Sequence, residues 1–492
     1  MSGQRDEASS GPVKRRAERI RRTLRVRWWR TRWRLGRRRR MRESRERMRE
    51  RDPEDNVRLA LPDGEEILWP VLWVAEIYGP SHIAGLRSAI SALGLDTSPM
   101  HIGRYLGELL EGGRTGYGGW SRAGDYTPRD RPIPGLGATG TDLPESFERA
   151  SPVFFGVSNG ITVSVTTFRL SESAAKSLDV LMRKEYASVV RLPHEEHVDV
   201  EFVKEEAIGA KRLEIRGQAE AWLRRHFPGA FGEGLAESFP CWDLLLTENE
   251  PLIDDGPGRT GWRQPLGFGF VPLRWASEDL PGLTLCDPEP FTRRDQATKA
   301  FVGTHSQVVE LDPGYNGPPE LAGAIHRLEE DLAPLMILWS LQLGLLAHER
   351  RFGERRDALT AKRPFWTLGL KDLETTVLPS SLDLRALAKA GTNKAARSVL
   401  VRDAPTFSDE DVLAKTRGRE PRHQEFFKAM SSRIEETAAA ATDEMGQIVA
   451  ATRNMSDVAV ARTNLRLQAA VLILSVAVIA LTVVQIVVAV ND

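Results

Sequence analysis

Cysteine is scarce, with Cys241 and Cys286 the only two in 492 residues. A disulfide framework needs more, so both read as small buried hydrophobes. The first 50 residues contain no apolar stretch of the kind a secretory leader carries. No GxxxxGK[ST], GxGxxG or GxSxG string occurs, so the sequence offers no phosphate-cradling loop, dinucleotide fingerprint or nucleophile elbow. His194-Glu195-Glu196-His197 sets its two imidazoles three apart, not the four of zinc peptidases, and reads as a solvated loop. Thr304-His305-Ser306 puts a nucleophile beside a base, but adjacency in the chain is not geometry. The sequence therefore assigns no catalytic residue, no metal ligand and no cofactor.

Charge is present in quantity and is segregated. The formal net charge is zero. From Lys14 to Arg51, 20 Lys or Arg stand against four Glu, which leaves about −16 on the remainder. Residues 1–55 read as a basic arm, disordered or only conditionally helical, because repelling arginines cannot bury a core. Within it, Trp28, Trp29 and Trp33 alternate with arginines and are followed by Arg37, Arg38, Arg39 and Arg40. Guanidinium groups pair with phosphates, and indole rings favour the headgroup level or stack on bases. Anionic lipid headgroups are the first expected partner of this arm and nucleic acid the second. The third reading is an extension without function, with Met41 or Met48 as the true start.

Ala469 to Val490 is a run of 22 residues without a charge, about 33 Å as a helix and enough for a bilayer core. Arg453, Arg462 and Arg466 precede it, and Asn491 and Asp492 follow. The positive-inside rule then puts the bulk of the chain in the cytoplasm, held at the inner membrane by a single late-inserted span. Ser475, Thr482 and Gln485 fall on one face of that helix and are expected to meet other helices or water. A second apolar run, Leu332–Ala347, is short and contains Pro334, so it reads first as a buried core helix, with a re-entrant or second spanning helix as the alternative.

Between arm and anchor the composition is globular. Glu66–Tyr78 reads as a strand in which Pro70 marks an edge or a break. Ser81–Gly94 reads as a helix with Ser81 as its cap, and Glu111–Gly140 as a mobile Gly-rich loop. Val153–Val157 and Ile161–Phe168 form a hairpin around Asn159-Gly160. Ser171–Tyr186 and Glu205–His226 read as helices, and Phe239–Thr247 and Leu266–Leu273 as strands. Beyond about Pro319 strands vanish and helices run to the end, with a break at Pro405–Pro421. The row Phe427, Met430, Ile434, Ala438, Ala441, Met445, Ile448, Thr452, Met455, Ala459 is close to a heptad seam. It is expected to be an intermolecular stalk, with packing on its own domain as the alternative.

The expected fold is thus an α+β cytoplasmic domain (56–316) and a helical domain (317–420). A stalk helix (421–466) and a C-terminal transmembrane helix (467–490) complete it. From about residue 320, the stalk Gln424–Arg466 leading into Ala469–Val490 resembles the CorA family of magnesium transporters in arrangement. That resemblance implies an oligomer whose pore is lined by the spanning helix. The family carries Gly-Met-Asn after its first span, whereas Gly391-Thr392-Asn393 lies before this one. The function expected first is a membrane-anchored binding, sensing or scaffolding protein that oligomerises through stalk and anchor. The alternative is a homo-oligomeric channel or transporter with Ser475, Thr482 and Gln485 facing the pore. An enzyme of unrecognised type comes third.

Overall fold

In a computed structural model of the chain, the described residues are 43, 46–93, 119–130, 139–158, 160–191, 196–253, 261–268, 274–287, 298–312, 314, 318–361, 378–393, 404–409 and 425–491. The sequence ILWPVLWVAEIY is apolar on both faces, as a strand covered on both sides must be, and Ile67–Tyr78 forms β1 near the middle of a large sheet. Pro70 sits where the register against the neighbouring strand shifts between Leu68 and Val71, so the missing N–H falls at a bulge. The hairpin forms as expected but is longer, β5 (Phe147–Ser158) and β6 (Ile161–Leu170), with Gly160 at φ +89° in the turn.

The Gly-rich stretch, expected to be a loop, contributes β2 (Gly119–Arg122), β3 (Tyr126–Pro128) and β4 (Thr139–Thr141) at one edge of the sheet. The remaining strands of this sheet are β9 (Cys241–Thr247), β10 (Arg274–Ser277), β11 (Thr284–Cys286), β12 (Thr298–Thr304) and β13 (Phe407–Asp409). A separate two-stranded ribbon pairs β7 (Val189–Arg191) with β8 (Glu196–Val198). The order across the 11-stranded sheet is β13-β10-β11-β12-β9-β1-β6-β5-β3-β4, with β2 also on β5. Pairing is antiparallel except at β12–β9 and β3–β4.

The helices in chain order are α1 (Ile83–Ala92), α2 (Glu172–Ala175), α3 (Ser177–Arg183), α4 (Val200–His226), α5 (His305–Val309), α6 (Leu321–Ala361), α7 (Leu378–Thr392) and α8 (Phe426–Asn491). One sheet face is covered by α4, where Trp222 meets Phe168 edge-on at 5.7 Å. The other lies under α6 to α8, whose side chains join the strands in one continuous core. Leu332–Ala347 is indeed core. By length and composition one helix among the described residues is apolar enough to cross a membrane, Leu321–Asp357, and 78% of its most apolar window is buried.

Several expectations give way. At the end of the N-terminal arm, residues 46–58 are helical, and the Asp52 carboxylate there accepts the Ser188 N–H at 3.1 Å and its hydroxyl at 2.5 Å; the rest of the arm, apart from Glu43, lies outside the described residues. Ser81 does not cap α1; its hydroxyl donates to Asp383 at 2.5 Å, and the cap position is His82. The expected helix from Ser171 is split at Lys176, where the Ser177 hydroxyl takes the Ala174 carbonyl at 2.6 Å. The described start of Leu266–Leu273 is not strand: Gln264–Leu266 is a 3-10 turn closed by left-handed Gly267. Strands do not vanish after Pro319, because β13 pairs with β10. The first part of the heptad row is used within the chain. Met430, Ile434, Ala438, Ala441, Met445 and Ile448 are all buried, against α6 and α7.

The elements share a polarity. Arg169, which pairs with Val71 in β1, donates to the Ala322 carbonyl at the start of α6, while a Cβ on Gly344 further along α6 would touch Ile77 at the end of β1. β1 and α6 therefore run the same way. Lys299 lies over Trp339 and Phe426, and Arg356 pairs with Glu444, so α8 runs parallel to α6. The end of α8 projects beyond the C-terminal end of β1. The helix 46–58 lies at the opposite end, where Lys204 donates to the Leu59 and Met182 carbonyls and Arg183 to that of Glu65.

Candidate functional site

Three places in the molecule carry chemistry. At the sheet edge, α4 is started by Asp199, whose carboxylate accepts the Phe202 N–H at 3.0 Å. It ends at Phe227-Pro228 with Arg224, Arg225 and His226 in its last turn. Asp142, just past β4, accepts from Arg225 and sits 2.6 Å from His226 Nε2. Arg129, just past β3, is fixed by its N–H on the Thr141 carbonyl at 3.1 Å. Two adjoining open depressions of about 420 and 380 Å³ share Arg129 and Thr141 in their walls. The Thr141 hydroxyl is buried and has no hydrogen-bond partner among the described residues. His226 lies against Trp222 with ring centres 4.8 Å apart and planes tilted by 43°. Burial, then Arg225 and Arg129, push its pKa down, so the neutral ring donates from Nε2 to Asp142. The guanidinium groups and the unpartnered Thr141 hydroxyl suit oxyanion binding, while the His226 N–H is taken by Asp142, and the lining residues of the two depressions provide no cysteine or serine nucleophile.

At the C-terminal end of β1, Ser81, His82, Asp383 and Glu233 have the residue types of a hydrolytic triad without its geometry. The Gly79 N–H donates to His82 Nδ1 at 3.3 Å, so Nδ1 is an acceptor and the proton lies on Nε2, 3.6 Å from Glu233. Ser81 donates to Asp383 at 2.5 Å and its Oγ also lies 3.1 Å from His82 Nδ1, so hydroxyl and carboxylate crowd the same side of the ring instead of flanking it. The group clamps β1 to α7, and a Cβ on Gly79 would lie 2.5 Å from Asp383 Oδ1. Below it, the Glu76 carboxylate is fully buried in β1 and accepts the N–H groups of Phe231 at 2.8 Å and Gly232 at 2.7 Å.

The third place is the far half of α8. Val471, Leu474 and Leu481 are 62%, 64% and 61% exposed, and Leu467, Leu472, Ile473, Val476, Val478 and Ile479 are similarly bare. The apolar helix with described side chains is Thr463–Ile479. Of the polar row, Ser475 donates to Val471 O and Thr482 to Val478 O, both at 2.8 Å. Gln485 lies on the same helix, with its side chain outside the described residues.

Trp28, Trp29, Trp33 and Arg37 to Arg40 lie outside the described residues. So do His194, Glu195 and the turn at 254–258, while His197 is in β8, opposite Val190. Thr304 spends its hydroxyl on Gln307 at 2.7 Å. Both cysteines are buried, as expected, and are not joined to each other. Among the described residues no group of three His, Cys, Asp or Glu converges as a metal site. The sequence reading passed over Asp142, Arg129, Arg225 and His226. They come from separate strands and a helix end, and only the basic last turn of α4 hinted at them. Comparison with protein-family models, with characterised proteins and with solved structures finds no match.

Proposed function

We propose that the chain is a membrane-anchored binding module, with a cytoplasmic head, an α8 stalk and a single span over Ala469–Val490. The observation that carries this reading is the bare apolar half of α8, continuous with a half that is buried in the head. Each exposed Leu, Ile or Val forgoes roughly 1.5–3 kcal/mol of burial in water, a cost that hydrocarbon removes. Arg453, Arg462 and Arg466 precede the run and favour a cytoplasmic head. The Ser475 and Thr482 hydroxyls are satisfied by their own helix, so neither brings an unpaired donor into lipid. The depression around Arg129, Arg225 and His226 is the head's candidate ligand site, for a small anion.

The test is flotation on lipid vesicles of the full chain beside a chain cut before Ala461. The full chain should float and the cut chain stay behind. A full chain left with the soluble fraction would end the anchor reading. Mass in nanodiscs then separates the channel alternative, which needs four or more subunits to line a pore with one helix each.

A further inference from the structure

The two depressions at the β4 edge are opposite in charge. The larger is walled by Asp130, Asp142 and Glu145 against the single guanidinium of Arg129. The smaller is walled by Arg129, Arg225 and His226 and has no carboxylate among its lining residues. Asp142 divides them: it lines the larger and accepts from Arg225 and His226, which line the smaller. Each of its oxygens keeps a second lone pair for another donor.

Local structure fixes the walls that the two share. β3 and β4 are parallel, with Pro128 opposite Thr141, and just past that pair the Arg129 N–H donates to the Thr141 carbonyl. Gly140 has no side chain, and a Cβ there would lie 3.7 Å from Arg129 Cγ, so the stem of Arg129 crosses β4 at van der Waals distance. Thr141 is only 5% exposed, and its hydroxyl has no partner among the described residues. A buried hydroxyl left unpartnered is costly, and a ligand oxygen seated at the junction supplies the missing partner.

We infer that the paired depressions bind a small soluble zwitterion, a phosphomonoester that carries a primary amine. Its phosphate lies between Arg129, Arg225 and the Thr141 hydroxyl, and its ammonium on the carboxylates of Asp142 and Glu145. The inference rests on the small-anion reading of this site and adds the second charge. A phosphomonoester has three free oxygens for donors that come from three separate elements, whereas a carboxylate or a phosphodiester has two. The acids do not converge as a metal site among the described residues, and an ammonium with three donors needs no such convergence.

The experiment is calorimetric titration of the full chain in detergent with O-phosphoethanolamine and with propyl phosphate, in which a methyl group replaces the ammonium. Phosphoethanolamine should bind about fivefold tighter, and Glu145→Gln should cut that preference to about twofold without weakening propyl phosphate. Arg129→Gln should weaken both ligands about tenfold and Thr141→Val about threefold. Thr141→Val removes a hydroxyl that bonds nothing described, so its thermal midpoint should not fall, which separates a lost site from a lost fold. Equal affinity for the two ligands would overturn the inference and leave the anion reading standing. No binding of either, or of inorganic phosphate, would end both. Undiminished binding by Arg129→Gln and Thr141→Val would put the phosphate elsewhere and overturn the inference as well.

Discussion

Glu76 and His348 are buried ionisable groups that oppose one another in pH. Burial pushes the Glu76 pKa up to about 8, against the pull of the backbone amides around it. A folded pKa above the ordinary value stabilises the fold below about 4.5, and that contribution is lost as pH rises through about 8. Burial, then Arg351 and His82, hold His348 down to about 3, so its contribution is present above 6.5 and is lost as pH falls towards 3. Urea midpoints should therefore fall both from pH 6.5 to 8 and below about pH 4.5, where the two slopes no longer cancel. Glu76→Gln should flatten the alkaline limb and cost about 1–3 kcal/mol, because an amide nitrogen then faces a backbone N–H. His348→Leu should flatten the acid limb at little cost, since His348 Nδ1 has no partner among the described residues. Asp243 is shared by buried Arg212 at 2.6 Å and Arg216 at 2.5 Å, and Asp243→Asn should cost about 3–5 kcal/mol by the same midpoints. None of these environments was legible in the sequence. Glu76 stands in an apolar strand, and the loop that encloses it, Gly229 to Gly232, is about 150 residues away.

Helix packing rests on close approach at glycine. A Cβ on Gly391 would lie 2.7 Å from Ile434 Cγ2, so Gly391→Val should push α7 off α8 and cost about 1–3 kcal/mol. Gly353, inside α6, has nothing within 4 Å of such a Cβ, and Gly353→Ala should gain about 0.5–1 kcal/mol. Thermal unfolding of the two variants checks both signs. Elements with a strong local signature were legible: β1 from its β-branched run, the hairpin from Asn159-Gly160, and α4 from its spacing and its Phe227-Pro228 stop. β13 was not, because three residues have no period and its strand character comes from β10 beside it. The split between α2 and α3 was missed because it turns on the Ser177 hydroxyl taking the Ala174 carbonyl, which an apolar period does not register.

For the whole molecule, the heptad row shows the limit of a one-dimensional pattern. An apolar stripe states that a helix face is covered, and not by whom; as far as Ile448 the cover is the chain's own α6 and α7. The head should therefore need no second copy to fold. The chain cut before Ala461 should be a monomer by light scattering, with a cooperative unfolding transition. The Lys299 ammonium, paired with Asp287 and 3.9 Å from the Trp339 ring centre, ties β12 to α6 at the root of α8. Phe426 flanks the same ammonium at 5.7 Å, so the long helix begins inside the core rather than on a linker.

Because α8 is one unbroken helix from the core to Asn491, the packed body and the exposed apolar half of α8 share a single rotational phase. Each residue removed between 450 and 460 turns one relative to the other by about 100° and draws them together by about 1.5 Å. Losing two residues swings the packed body to nearly the opposite bearing about the axis of α8, whereas losing seven restores the bearing to within about 20°. The molecule thus presents its Arg129 depression at a bearing about the exposed half of α8 set by residue count, as the hands of a clock are set by their shaft.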